Sequence, residues 1–174
     1  GVTVATLDGA TTAFNQLTWS REIITRCSQD QPGNLGILVL GLEEEKRQST
    51  LENLVAAAEA AAFQLPTFKS VKKTKAPLER IKILASKPRV NLNTIRAQAL
   101  GNNIARWFTA LPPNKLDAKN YRKLVKALCA RYGIQATVLD ESKLERLGAN
   151  AFLAVSQGNA NRDAGIIQLR YRPP

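Results

Sequence analysis

The chain has 174 residues, of which 44% are hydrophobic and 22% are charged, a balance typical of a folded globular protein. Its formal net charge of +11 is divided unevenly: residues 1–66 carry 4 basic and 8 acidic side chains, and residues 67–174 carry 21 and 6. The composition excludes disordered and fibrous classes, and the apolar runs are shorter than the roughly 20 residues of a membrane span. No membrane partner is therefore expected.

The first predicted elements alternate between strand and helix. Residues 2–8 alternate branched and small side chains and predict a strand, and residues 12–27 carry an apolar stripe at helical spacing. The nearly unbroken apolar run at 36–42 is typical of a strand buried on both faces of a parallel sheet.

A second helix and a third strand follow. Ser49 and Glu52 have the spacing of a capping box, which predicts the start of an alanine-rich helix that continues to about Gln64. Residues 80–86 return to a strand pattern. This order predicts a small N-terminal α/β layer that spans residues 1–88.

Basic side chains are concentrated after this helix, with one acid, Glu79, and one aromatic side chain, Phe68, among them. A cluster of this kind can neutralise phosphates, although few aromatic rings are present to stack on bases. One interpretation is a surface that only keeps the protein soluble. The alternative is a surface that contacts the phosphate backbone of duplex DNA. The candidate nucleic-acid contacts are Lys69, Lys72, Lys73, Lys75, Arg80 and Lys82.

The middle of the chain predicts a helix at 91–111 that stops at Pro112-Pro113, within a linker that spans residues 89–114. Its apolar stripe consists of Leu100, Ile104, Trp107, Phe108 and Leu111.

The next helix begins after Asp117, a good N-cap, and ends at Gly133. One face is apolar: Tyr121, Leu124, Val125, Leu128 and Tyr132. The opposite face is predicted to be solvated and basic: Lys119, Arg122, Lys123, Lys126 and Arg131.

The C-terminal stretch predicts three strands, at residues 134–140, 151–157 and 165–171, with a short helix between the first two. Residues 115–174 therefore look like the opening of a second α/β domain.

Reactive groups are scarce. The chain has no histidine, which excludes histidine-based triads and zinc sites. The acids at 43–45 are predicted to be solvated residues at the start of a helix. The Ser70-x-x-Lys73 spacing is predicted to be part of a solvated loop. The loop at 158–162 is predicted to connect two strands, and the alternative is that it holds an anion. Cys27 and Cys129 stand far apart in the sequence and are predicted to be reduced, mostly buried thiols of a cytoplasmic protein.

Three segments together resemble the leucyl aminopeptidase (cytosol aminopeptidase) family. Arg106-Trp-Phe-Thr-Ala-Leu-Pro-Pro-Asn114 is similar to the family's Arg-Asp-Leu-Val-Asn-Thr-Pro-Pro-Asn turn, although it lacks the acid and the first asparagine. Leu144 to Asn159 resembles the short helix, glycine and Val-x-x-Gly-Ser segment that follow in the family. Leu65 to Lys73 resembles its Phe-x-x-Tyr-Lys-Ser segment, so that the likeness extends from Leu54 to Tyr171.

The resemblance implies a macro-domain-like N-terminal α/β domain, a linker helix and the start of a metallopeptidase domain. Members are generally hexamers that remove N-terminal residues from peptides with two divalent ions, zinc or manganese. The family's metal-binding motifs, Gly-Lys-Gly-x-x-x-Asp-x-Gly-Gly and Asn-Thr-Asp-Ala-Glu-Gly-Arg, do not occur in residues 1–174.

The expectation is therefore the non-catalytic N-terminal portion of such an enzyme, with no catalytic or metal residue in this segment. Its partners would be the missing C-terminal peptidase domain, other subunits and peptide substrates. The alternative is a DNA-binding or protein-interaction module that uses the basic half, residues 67–174. A further alternative is an anion or nucleotide pocket in the macro-like domain.

Overall fold

The structure is a computed structural model, and its described residues form two compact units, residues 1–110 and residues 111–174. The structure describes residues 1–6, 12–69, 78–84, 90–161 and 163–173. Within these ranges no helix combines the length and the apolar character that a membrane crossing requires.

Three helices build most of the first unit: α1 (Ala13–Cys27), α2 (Glu44–Ala62) and α3 (Leu92–Ala110). The α1 helix begins where the sequence predicts, because the Thr12 hydroxyl accepts a hydrogen bond from the Asn15 amide at 3.3 Å. The α2 helix packs against both α1 and α3. Its alanine-rich sequence allows this close packing on two sides.

A two-stranded parallel sheet completes the unit, with β1 (Asn34–Ile37) paired to β2 (Arg80–Ile83). One face of the sheet enters the hydrophobic core through Leu35, Ile37, Ile81 and Ile83. The other face is exposed and carries Asn34, Gly36, Arg80 and Lys82.

Three predictions for this region are wrong. Residues 2–6 have no strand pairing, and the rest of the predicted first strand lies outside the described residues. The apolar run at 36–42 contributes only its beginning to β1, and Leu38 and Leu40 follow the strand and are exposed. Ser49 does not cap α2, which already begins at Glu44; its hydroxyl donates to the Lys46 carbonyl at 3.1 Å inside the helix.

The buried face of α3 also differs from the predicted stripe. The residues that are buried are Ile95, Ala99 and Asn103, whereas Leu100 is 46% exposed. The prediction assumed that the large apolar side chains of α3 are the buried ones. A small residue such as Ala99 fits better against the alanine-rich α2. Ile104, Trp107, Phe108 and Leu111 are only partly buried.

The described residues of the second unit form three helices and one pair of antiparallel strands, which two of the helices separate in sequence. Its elements are α4 (Ala118–Arg131), β3 (Gln135–Asp140), α5 (Glu141–Arg146), α6 (Asn150–Ser156) and β4 (Gly165–Arg170). The β3 and β4 strands are antiparallel, and α4 packs against both of them. Asp117 accepts from the Asn120 amide at 2.7 Å, which confirms the predicted cap of α4.

Residues 151–157, predicted as a strand, instead form most of the α6 helix and its C-cap, Gln157. Short apolar runs do not distinguish a buried strand from a buried helix by composition alone. The buried and partly buried positions are Ala149, Leu153 and Ser156, at helical spacing, and α6 packs against α5. The helical conformation therefore places Leu153 in the interior beside α5.

Candidate functional site

The predicted nucleic-acid contacts fall into two groups. Lys69, Arg80 and Lys82 are exposed, and the latter two lie on the open face of the parallel sheet, in register with Asn34 and Gly36 of β1. The sheet thus brings two cations of the predicted cluster onto one surface. The other three predicted contacts, Lys72, Lys73 and Lys75, lie outside the described residues.

A cavity of 370 Å³ lies at the carboxyl end of β1 in the first unit. Ligands of open α/β sheets commonly bind at this end of the strands. The residues with polar side chains that line it are Thr3, Thr6, Trp19, Cys27 and Thr50. The described residues of this lining include no Lys or Arg side chain, so they offer no counter-charge to a phosphate. The cavity is therefore a poor match for the nucleotide pocket considered above.

A second cavity, of 540 Å³, lies between α1, α2 and α3. Arg106 of α3 is one of its lining residues and connects α3 to α2. The Nη1 atom of Arg106 donates to the Ala60 carbonyl at 2.8 Å and to the Asn103 Oδ1 at 2.9 Å. The guanidinium also lies over the Phe63 ring, 5.7 Å from its centroid.

The sequence predicted a role for Arg106 only in the turn motif, and it did not predict this cavity. The available signal was spacing: Ile95, Ala99, Asn103 and Arg106 follow one another at intervals of four, four and three residues. Those intervals place all four on one helix face. A polar pair that continues an apolar face indicates a buried hydrogen bond.

The loop before β4 uses its polar groups internally. The Asn159 Nδ2 donates to the Asp163 Oδ1 at 3.0 Å, and the Asn161 amide donates to the Asn159 Oδ1 at 3.1 Å. An acid within the loop disfavours an anion, and Arg162, which was to assist such binding, lies outside the described residues. The loop connects a helix to a strand, because α6 precedes it.

Arg122 was predicted on the solvated face of α4, and that placement is wrong. It is partly buried, and its guanidinium donates to the backbone carbonyl of Asp163. An arginine can bury its stem and still use its head group as a donor, which the helical pattern alone does not reveal.

The acids and the two thiols are the side chains of this chain that could hold a metal ion. In the described ranges no three Cys, Asp or Glu side chains come together in a way that could hold an ion. Glu43 precedes α2, and Glu44 and Glu45 form its exposed first turn, as predicted. Cys27 is a partly buried free thiol and Cys129 a buried one.

The comparisons with known proteins agree on one family. The sequence profile described as "Cytosol aminopeptidase family, catalytic domain" matches residues 103–174. A probable cytosol aminopeptidase from Parasynechococcus marenigrum is 33% identical over 171 residues, which are 95% of this chain and 34% of that protein. A probable cytosol aminopeptidase from Acinetobacter baylyi is 36% identical over 116 residues, covering 64% of this chain and 24% of that protein.

Solved structures show the same fold at lower identity. A mutant of tomato leucine aminopeptidase superposes with a TM-score of 0.80 at 17% identity, covering 93% of this chain and 34% of that one. The bottromycin maturation enzyme BotP in complex with Mn gives a TM-score of 0.74 at 19% identity, covering 95% of this chain and 35% of that one. This chain therefore shares its fold with about a third of each of those two structures.

Taken with the sequence relatives, this fold identifies the chain as a member of the cytosol aminopeptidase (leucyl aminopeptidase) family. The chain spans about a third of the length of the curated relatives that it matches.

Proposed function

We propose that the chain is the N-terminal portion of a leucyl-aminopeptidase-like metallo-exopeptidase, which removes N-terminal residues from peptides. The observation that carries this proposal is the match with the P. marenigrum aminopeptidase, which covers 95% of this chain but 34% of that protein. We assign residues 1–88 to the N-terminal domain, 89–114 to the linker helix and its turn, and 115–174 to the start of the metallopeptidase domain. The catalytic-domain profile, which begins at residue 103, supports this assignment.

The described residues do not fit the two divalent ions, manganese or zinc, that the family implies. A two-metal site needs several carboxylates or imidazoles around each ion, and no such group is present in the described ranges. The BotP complex with Mn supports a metal in a longer protein of this kind. We therefore assign metal binding and peptide hydrolysis to a peptidase domain beyond these residues, and no catalytic step to this chain's side chains.

The direct test is an assay of the 174-residue chain with leucine-p-nitroanilide and manganese. The expected result is hydrolysis no faster than in buffer containing the metal alone. A full-length relative such as the A. baylyi enzyme serves as the positive control. Robust turnover by the isolated chain would contradict the proposal, because it would require catalytic groups within residues 1–174.

We further propose a cytoplasmic location and assembly into a hexamer together with the peptidase domain. The relatives' description as cytosol aminopeptidases supports the location. Sedimentation of the chain alone and of the chain mixed with the C-terminal two-thirds of a relative tests the assembly. A mixture that sediments as the sum of its separate components would count against the peptidase domain as partner.

The second candidate function is nucleic-acid binding by the basic half, and the open sheet face favours it. Arg80 and Lys82 are exposed on one face of β2, where they can approach a phosphate backbone. Changing both to glutamate should abolish salt-dependent retention on duplex DNA. The same change of charge at Lys119 and Lys123 on α4 is the control. Equal loss with both pairs would indicate a net-charge effect and would remove the sheet face as the contact surface.

A further inference from the structure

The cavity between α1, α2 and α3 combines charged and amide side chains in an unusual way. Its volume of 540 Å³ lies within the range of small-molecule sites. Among its lining residues are one guanidinium, from Arg106, and one carboxylate, from Glu52, together with small apolar side chains from α2 and α3. Its carboxamides belong to Asn53, Asn91, Gln98, Asn102 and Asn103.

Arg106 provides an unpaired positive charge at one end of this groove. Its Nη1 atom is committed to the Ala60 carbonyl and to Asn103, but within the described ranges its Nε and Nη2 atoms have no partner and no carboxylate pairs with it. The remaining N–H groups form a planar fork that matches the two oxygens of a carboxylate. A partly buried cation that lines a cavity and has no counter-charge favours an anionic ligand group there.

Glu52 provides the opposite charge further along α2. It is partly buried and accepts a hydrogen bond from the Gln48 Nε2 at 3.2 Å, and no cation pairs with it in the described part of the chain. A ligand ammonium group would supply the missing counter-charge. The groove therefore has a carboxylate at one end and a guanidinium at the other.

The distance between these two ends selects the length of the ligand. Glu52 and Ala60, whose carbonyl accepts from Arg106, are eight residues apart on α2, so their backbone positions are about 12 Å apart along the helix axis. An extended peptide advances about 3.4 Å per residue, so three or four residues cover that distance.

We propose that this groove binds a short extended peptide, with its C-terminal carboxylate at Arg106 and its N-terminal ammonium at Glu52. Carboxamide side chains both donate and accept, as the peptide backbone between the two termini requires. The small side chains of Ala56, Ala60 and Ala99 leave room for that backbone. A neutral ligand would leave both charges without partners, which disfavours it. This site goes beyond the proposed function, since the peptide is held there and not cleaved.

Isothermal titration calorimetry of the full chain with three matched peptides tests the proposal. The probes are trialanine, trialanine amide and N-acetyl-trialanine. Each blocked peptide loses one charge-assisted contact, so each should bind about 10-fold more weakly than trialanine, the equivalent of about 1.4 kcal/mol. Failure of trialanine to bind, or equal binding of the amide, would overturn the proposal.

A variant locates the binding site. Glu52→Gln should weaken trialanine about 10-fold and leave N-acetyl-trialanine unchanged, because the acetylated peptide has no ammonium group to lose. Glu45→Gln, on the exposed first turn of α2 and outside the groove, is the matched control and should change neither. Arg106 is left intact because it also connects α3 to α2. If Glu52→Gln has no effect on trialanine, or Glu45→Gln has the same effect, the peptide does not occupy this groove.

Discussion

The guanidinium of Arg122 on α4 donates to the backbone carbonyl of Asp163, two residues before the start of β4. The contact spans 41 residues of sequence and fixes the start of the strand against the helix. Gly165, two residues later, lies so close that an added Cβ would be 3.0 Å from the Leu139 carbonyl oxygen and 3.3 Å from the Arg122 Nη1. The sequence of β4 thus begins with glycine because helix and strand approach closely there.

Gly165→Ala should lower the free energy of unfolding by about 1–3 kcal/mol, because the Leu139 carbonyl belongs to the paired strand and cannot move without disturbing the ladder. Urea denaturation followed by circular dichroism measures the change. Gly158→Ala is the control, since no atom lies within 4 Å of its added Cβ. Equal stability of the two variants would mean that the close approach at Gly165 does not exist.

Ser20→Ala should stabilise the first unit. Ser20 is 1% exposed, and its hydroxyl oxygen has no hydrogen-bond partner in the described part of the chain. Removing an unsatisfied buried group recovers about 1 kcal/mol or more, and alanine adds a small gain in helix propensity. Ser49→Ala, at an exposed position of α2, is the comparison: it gives the same propensity gain but loses the hydrogen bond of its hydroxyl to the Lys46 carbonyl. A gain at Ser20 no larger than that at Ser49 would show that the hydroxyl is satisfied in solution.

Asp117→Ala should destabilise the second unit by about 1 kcal/mol, because the Asn120 amide loses its acceptor at the start of α4. Asp117→Asn keeps an oxygen acceptor at the cap and should cost less than half as much. Thermal melts of the three proteins give the comparison. If the asparagine variant loses as much stability as the alanine variant, the carboxylate charge and not the hydrogen bond supports the helix start.

The predictions were correct for elements that carry a local signal in their own residues. They were wrong where the conformation or burial of a segment depends on what packs against it. Thr12 and Asp117 carry capping chemistry in their own side chains, so α1 and α4 begin as predicted. The apolar run that contains Leu153 has no such signal, and it lies in a helix that packs against α5. The exposure of one sheet face likewise depends on which other elements pack against the sheet. The sequence of residues 36–42 does not contain that information.

The groove beside Arg106 illustrates the same limit at the level of function. The family motif identified this arginine as part of a turn, because a motif records order along the chain. Its role against Ala60 arises from a contact 46 residues away in sequence, and the amide lining of the groove is assembled from three helices. No local pattern contains that information.

Leu144→Ala should open the core of the second unit around α5. Leu144 is 1% exposed, and removing most of a buried leucine costs about 2–5 kcal/mol. The buried thiol of Cys129, 3% exposed and in the same unit, reports this loosening through faster labelling by iodoacetamide, read by peptide mass spectrometry. Cys27, in the first unit, is the internal reference and should label at its original rate. A labelling rate at Cys129 that does not change would show that Leu144 is not required for the packing that protects this thiol.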